Sequence, residues 1–392
     1  MTDKEKEVMF KYTNDSYFND DIKAVDARHE AQKIAFAPLA FQAVRALLDL
    51  GLLQIISEAK ENGISLNEVA TAAGISTYGA EVLLEVALGM NIVKLLPGNV
   101  LPGEIPPEEG DRFIIGKIGC FLLDDEMTKV NFNFTNDVCY KGAFELMRSV
   151  KTGKPQGLEV FGHEGKTIYE VLSSLPEKVK ESWFAFDHFY SDISFEEALP
   201  FVFSHKPKKI IDIGGNTAKW AICCCKYDPD VKLLIADLPG QTAVAEKNAD
   251  NAGFSDRINV FPCNMLNDET ALPSGADVYW MSQFLDCFSL EEITRIMKKV
   301  RAAAGPNTNI YVLEPLWDKQ RVEAASYYLQ AISLYFTCMA NGNSKMYRFD
   351  ELSNAIERAG FKLAEAMHNF GSKDYSLLRY QILPDYKNHE TQ

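Results

Sequence analysis

The sequence predicts an α/β protein: a doubly wound domain around a mostly parallel sheet, preceded by a small helical module with a hairpin-like wing. Three observations predict it. The run Ile210-Ile211-Asp212-Ile213 ends in Gly214-Gly215-Asn216-Thr217-Ala218 and then opens a helix, the pattern of a buried strand feeding a glycine turn. About twenty residues later, Lys232-Leu233-Leu234-Ile235-Ala236-Asp237 repeats the apolar strand and ends it in a carboxylate. From Lys208 strand and helix patterns alternate to Phe361, and a final strand spans Tyr375 to Ile382.

Taken in order, residues 1 to about 27 are charged and polar and read as an arm ordered only against a partner. Between Ile34 and Leu53 the apolar residues Phe36, Leu39, Ala40, Ala43, Val44, Leu47 and Leu48 recur at helical spacing, with a stop at Gly51. Ser65-Leu66-Asn67-Glu68 is a capping-box pattern that starts a short helix running to Ala73-Gly74. A third helix spans Thr77 to Gly89. Ile92 to Leu96, a turn at Pro97-Gly98-Asn99, and Arg112 to Ile115 read as two short strands. Together these elements predict a winged-helix module over residues 28–118, followed over 119–392 by a helical linker and the α/β domain.

A winged helix raises the question of DNA. The segment Ser76 to Met90 holds Glu81 and Glu85 and neither Lys nor Arg, so it offers phosphates nothing. Its apolar Val82, Leu83, Leu84, Val86, Ala87 and Leu88 predict packing in a protein interface, and homodimerisation through this domain is expected. A transcription regulator is the disfavoured alternative.

Over 119–200 the sequence reads as helices joined by the loop Lys151 to Gly157. Aromatic residues are dense there, among them Phe132, Phe134, Phe161, Trp183, Phe186 and Tyr190. Aromatics at helical spacing serve as core or line an apolar pocket, and both readings stand.

Bulk properties set the limits. Across 392 residues, 55 Asp and Glu against 40 Lys and Arg leave a formal charge of −15. Such a chain repels nucleic acid and anionic membranes, so neither is expected as a partner. The charged start Met1 to Glu7 is unlike a signal peptide, and no apolar run is long enough to span a bilayer, so a cytoplasmic protein is expected. Eight cysteines without a Cys-x-x-Cys pair, and six histidines without ligand spacing, predict reduced thiols and no bound metal.

For the glycine turn and the strand-end acid, the chemistry is that of a nucleotide pocket. Glycines let backbone approach the ligand, and Asp237 accepts hydrogen bonds from ribose hydroxyls. A plain tight turn is the alternative for each glycine. A nicotinamide dehydrogenase shares these features, but Gly-x-Gly-x-x-Gly is absent and the turn comes late in the chain.

On these segments, and on Ala236-Asp237-Leu238-Pro239, Cys263-Asn264-Met265-Leu266, the strand and helix from Ala276 to Arg301, and the loop Lys151 to Gly162, the chain resembles a known family. It is similar to the class I S-adenosylmethionine-dependent O-methyltransferases of the plant caffeate and bacterial hydroxyneurosporene type, from about residue 30 to 385. The resemblance implies a Rossmann-like catalytic domain, a winged-helix dimerisation domain, S-adenosylmethionine as cofactor and a small aromatic or polycyclic methyl acceptor. It implies cofactor contacts from Asp212, Gly214, Gly215 and Asn216, from Asp237 to the ribose, and from Leu238, Asn264 and Met265 around the adenine. Ser282 and Gln283, at the end of the fourth strand, would complete that pocket.

The sequence departs from the family at the chemistry. Members that methylate phenols carry His-Asp-Trp after the fourth strand; here Asp286-Cys287-Phe288 stands there. Asp286 becomes the expected base, on condition that Phe284, Leu285 and Phe288 bury it enough to raise its pKa. Glu314 corresponds to the family's orienting acid, whereas a second such acid is replaced by Lys345-Met346-Tyr347-Arg348-Phe349. His188 is a substitute candidate base. Asn216 and Ala218 occupy positions where the family uses glycine, which predicts a changed turn or weaker cofactor binding. The alternative function is a catalytically degenerate cofactor-binding sensor or assembly protein.

Overall fold

A computed structural model of the chain describes Tyr17, residues 20–96, 111–372 and 374–384. The predicted arm falls largely outside these residues, as does the Pro97-Gly98-Asn99 turn. The chain divides into two compact units, Asn14–Phe132 and the remainder from Asn133 on.

In the first unit the leading helix is longer than the apolar periodicity suggests, spanning Ala24–Asp49. Gly51, at φ 72°, breaks it before a second helix, Leu52–Glu58. Only the second half of the periodic stretch meets the core, through Val44 and Leu47; Phe36 and Leu39, in its first half, are exposed. The capping box at Ser65 forms: Ser65 N donates to Glu68 at 2.8 Å and Glu68 N donates back to Ser65 Oγ at 3.4 Å. The helices Leu66–Ala73 and Thr77–Gly89 follow. Strands β1 (Ile64–Ser65), β2 (Val93–Leu95) and β3 (Arg112–Ile115) form a three-stranded antiparallel sheet in the order β1-β3-β2. Leu84 and Ala87, expected in an interface, are fully buried inside the unit's own core, while Val82 and Val86 stay exposed. Residues after β3 belong to the same unit, because Leu122, Leu123 and Phe132 pack on that core. Among the described residues no single helix is long and apolar enough to cross a membrane; one pair, bent by 59° between Asp49 and Leu52, passes only when joined.

The second unit is built on a seven-stranded sheet. Its strands are β4 (Lys209–Ile213), β5 (Lys232–Asp237), β6 (Ile258–Pro262), β7 (Val278–Ser282), β8 (Asn309–Glu314), β9 (Phe361–Phe370) and β10 (Tyr375–Ile382), in the order β6-β5-β4-β7-β8-β10-β9. The first five are parallel and the last two antiparallel. Alternate residues feed two cores: Ile211, Ile213, Tyr279 and Met281 face one side, and Ile210, Val278 and Trp280 the other. Both faces are therefore covered, which is why β4 and β7 read as continuous apolar runs. A third cluster, containing Phe134, Trp183, Tyr335 and Phe336, is made by the helices flanking the sheet.

Candidate active site

At the carboxyl ends of the parallel strands lies a cavity of about 380 Å³. The strand order reverses between β4 and β7, and the crevice there is where an open α/β sheet binds ligands. On the strand side its wall contains Asp212, Gly214, Gly215, Asn216, Asp237, Leu238, Asn264, Met265, Ser282 and Gln283, every residue that the resemblance assigned to the cofactor.

The turn after β4 has a physical reason for its glycines. A Cβ on Gly214 would lie 2.3 Å from the Phe284 ring, and one on Gly215 2.6 Å from Asp212 Oδ2. Asn216 and Ala218 keep the left-handed conformation that glycine takes more cheaply, at φ 44° and 68°. Side chains are accommodated in the left-handed region at both positions, and Asn216 Nδ2 donates to Asp187 at 3.1 Å. Gln283, after β7, is also left-handed at φ 48°. Non-glycine residues in this region cost of order 1–3 kcal/mol each and are held by their surroundings.

Asp237 accepts from Asn216 N at 2.9 Å and Leu238 N at 2.7 Å, so the acid at the end of β5 also ties the β4 turn in place. Each oxygen keeps further lone pairs for a diol. Asp212 is 2% exposed and its Oδ2 has no partner among the described residues. Burial, and then the neighbouring Asp237, push its pKa up to about 8. An orphaned buried carboxylate oxygen beside a glycine cradle and a ribose-type acid suits a polar, positively charged nucleoside, so these residues fit S-adenosylmethionine.

Asp286 sits on the short turn Leu285–Cys287, facing the same cavity, and is 6% exposed. Burial lifts its carboxyl to about 6. The required apolar surroundings are present in Leu285, fully buried, and in the Phe284 and Phe288 rings, 4.9 Å apart. Glu314, at the end of β8, lies behind this turn and outside the main cavity. Its Oε1 accepts from Phe284 N at 3.0 Å and Leu285 N at 2.8 Å, so it fixes the backbone that carries Asp286. Burial, and then Asp286, hold the Glu314 carboxyl far above the ordinary range. Two further side chains pin the turn: Asn341 Nδ2 donates to Cys287 O at 2.6 Å and Tyr347 Oη to Phe288 O at 2.6 Å. Tyr347 belongs to the segment Lys345 to Phe349, where the resemblance implied a second acid.

His188 also lines the cavity, with Nδ1 3.8 Å from Asp187 and its ring against Phe184. Phe134, Trp183 and Phe186 line it as well while belonging to the helical core, so these aromatics serve both predicted roles. Sequence reasoning missed Tyr169, Tyr335 and Asn341. No local signal marks them, since each reaches the cavity through contacts with residues distant in the chain.

Family models match the chain in two places, a dimerisation2-like domain at residues 28–98 and an O-methyltransferase domain at 144–362, the latter more than half of its length. The L-tyrosine C(3)-methyltransferase of Streptomyces lavendulae is 22% identical over 84% of this chain and 85% of its own. Demethylspheroidene O-methyltransferase of Cereibacter sphaeroides is 26% identical over 70% of this chain and 67% of its own. In fold, the chain is similar to human N-acetylserotonin methyltransferase solved in complex with S-adenosylmethionine, with a TM-score of 0.62 at 16% identity, covering 93% of this chain and 99% of that one. The chain belongs to the O-methyltransferase domain family and is an S-adenosylmethionine-dependent methyltransferase.

Proposed function

We propose that the protein methylates a hydroxyl of a small aromatic or polycyclic acceptor, with Asp286 as the base. The observation that carries this reading is a buried carboxylate and an aromatic wall sharing one cavity with the glycine turn and the Asp237 strand end. S-adenosylmethionine supplies an electrophilic methyl group on a sulfonium. Asp286, ionised, takes the acceptor's hydroxyl proton as the oxygen attacks, and its raised pKa makes it a stronger base than an exposed carboxylate. Glu314 is a positioning residue that keeps the turn in place. Phe134, Trp183 and Phe186 orient the acceptor ring and exclude water. His188 is the alternative proton acceptor on the same cavity.

A second reading is favoured by the L-tyrosine C(3)-methyltransferase relative: a phenol deprotonated by Asp286 is nucleophilic also at its ortho carbon. Isotope-labelled S-adenosylmethionine and a panel of phenols test both. An O-methyl signal in the product supports the first reading, a C-methyl signal the second, and cofactor binding without methyl transfer to any acceptor restores the sensor alternative.

The helix Ala24–Asp49 leaves Val25, Ile34, Phe36 and Leu39 more than half exposed, which supports a homodimer formed through the amino-terminal domain. A monomer at micromolar concentration in sedimentation would contradict it. Eight free cysteines support a reducing, cytoplasmic setting.

A further inference from the structure

Tyr335 is the last residue of the helix Glu323–Tyr335, and its ring stands in the aromatic wall of the cavity, edge-on to Phe134 at 4.9 Å. Its hydroxyl accepts a hydrogen bond from Trp183 Nε1 at 2.7 Å. An indole N–H can only donate, so this bond commits the Tyr335 oxygen as acceptor and leaves its own O–H to be offered elsewhere. Among the described residues nothing in the protein accepts that proton, although Tyr335 is 8% exposed. A buried donor left unpaired is costly, and the cavity is the open side.

The surrounding groups narrow what can take the bond. Tyr169, Tyr335 and Asp286 line the same cavity. Cys287 lines it too and turns its thiol toward Asp286 at 3.5 Å. The oxygen that receives the methyl must give its proton to Asp286 and keep a lone pair free for attack. A hydrogen bond from Tyr335 into that oxygen leaves it a lone pair for attack but draws negative charge from it and so reduces its nucleophilicity. The productive partner is therefore a different oxygen on the same molecule.

We propose that Tyr335, oriented by Trp183, is a specificity-determining residue that donates a hydrogen bond to a second oxygen of the methyl acceptor, a hydroxyl or carbonyl other than the one methylated. The inference deepens the methyltransferase reading and rests on it: the acceptor class becomes aromatic rings bearing two oxygens. A ring with one oxygen leaves the Tyr335 donor buried and unpaired.

The test is calorimetry on the full chain in the presence of S-adenosylhomocysteine, with 2,3-dihydroxynaphthalene and 2-naphthol as paired probes. The wild type is expected to bind the dihydroxy probe roughly tenfold more tightly, and Tyr335→Phe to bring the ratio to about one by weakening that probe alone. Because the ratio compares two ligands on one protein, it is insensitive to the folded fraction. Should Tyr335→Phe fail to bind S-adenosylhomocysteine, Trp183→Phe serves instead, since it frees the hydroxyl from its orientation and lowers the ratio. A ratio that survives either folded variant, a wild type that does not discriminate, or one that binds S-adenosylhomocysteine and neither probe overturns the proposal. Failure of the methyltransferase reading registers separately, as a wild type that transfers no methyl group from labelled S-adenosylmethionine to any phenol of the panel.

Discussion

Where the cavity meets the strand ends, its wall is backbone and short turn: Gly214, Gly215 and Asn216 follow β4 directly, and Asp237 ends β5 with Leu238 after it. Where it meets the helices, the wall is side chain, with Trp183 and Tyr335 joined across 152 positions of sequence. On the first wall, a residue's role follows from its place in a strand-turn-helix unit. On the second, it follows from tertiary contacts, and a substitution there is expected to change the acceptor while leaving cofactor binding intact. Asp286 belongs to the boundary between them, on a turn pinned from β8 by Glu314.

The largest effect that can break this division is at Asp286. Asp286→Asn keeps the shape of the side chain and removes the base, so kcat falls by about 10²–10⁴ while affinity for S-adenosylhomocysteine changes little. Single-turnover kinetics and calorimetry on the same preparation check both halves; equal kcat would move the base to His188. The pH profile sharpens the assignment. The base works ionised, so kcat/KM in the wild type rises with pH and levels off above about 6, the value to which burial lifts Asp286. In the variant this acid limb disappears.

A smaller effect is expected on the strand-side wall. A Cβ on Gly215 would also approach Ile235 Cγ2 to 2.8 Å, in a sheet packed on both faces. Gly215→Ala therefore costs about 1–3 kcal/mol, divided between fold stability and cofactor affinity. Calorimetry should show weaker S-adenosylmethionine binding with the preference among acceptors unchanged. A changed acceptor preference would mean that the two walls are one unit.

The same division explains what the sequence reveals. The β4 turn, the Asp237 strand end and the capping box at Ser65 are local patterns, and each is found in place. The burial that Asp286 needs was legible only as a condition, because Phe284 and Phe288 supply it through a fold in which Gly214 approaches the Phe284 ring. Tyr335 and Asn341 carry no local mark, since a tyrosine ending an apolar helix reads as core until Trp183 is seen to donate to it. Leu84 and Ala87 misled in the opposite direction: an apolar helix looks the same whether it packs on its own domain or on a partner.

The smallest effect concerns Ala218, where the family's glycine is absent and a changed turn was expected. Ala218 holds φ 68° at the start of the helix Lys219–Tyr227 and is fully buried. An L-residue in this region costs roughly 1–2 kcal/mol, which Ala218→Gly would recover. Glycine gives back about 0.5–1 kcal/mol in backbone entropy. The lost methyl gives back about 0.8 kcal/mol more. These terms nearly cancel, so the denaturation midpoint is expected to stay within a few degrees of the wild type, with cofactor affinity unchanged. A large rise in affinity for S-adenosylmethionine would show that the methyl group narrows the cradle; without it, the turn's conformation rather than its glycine content is what the site requires.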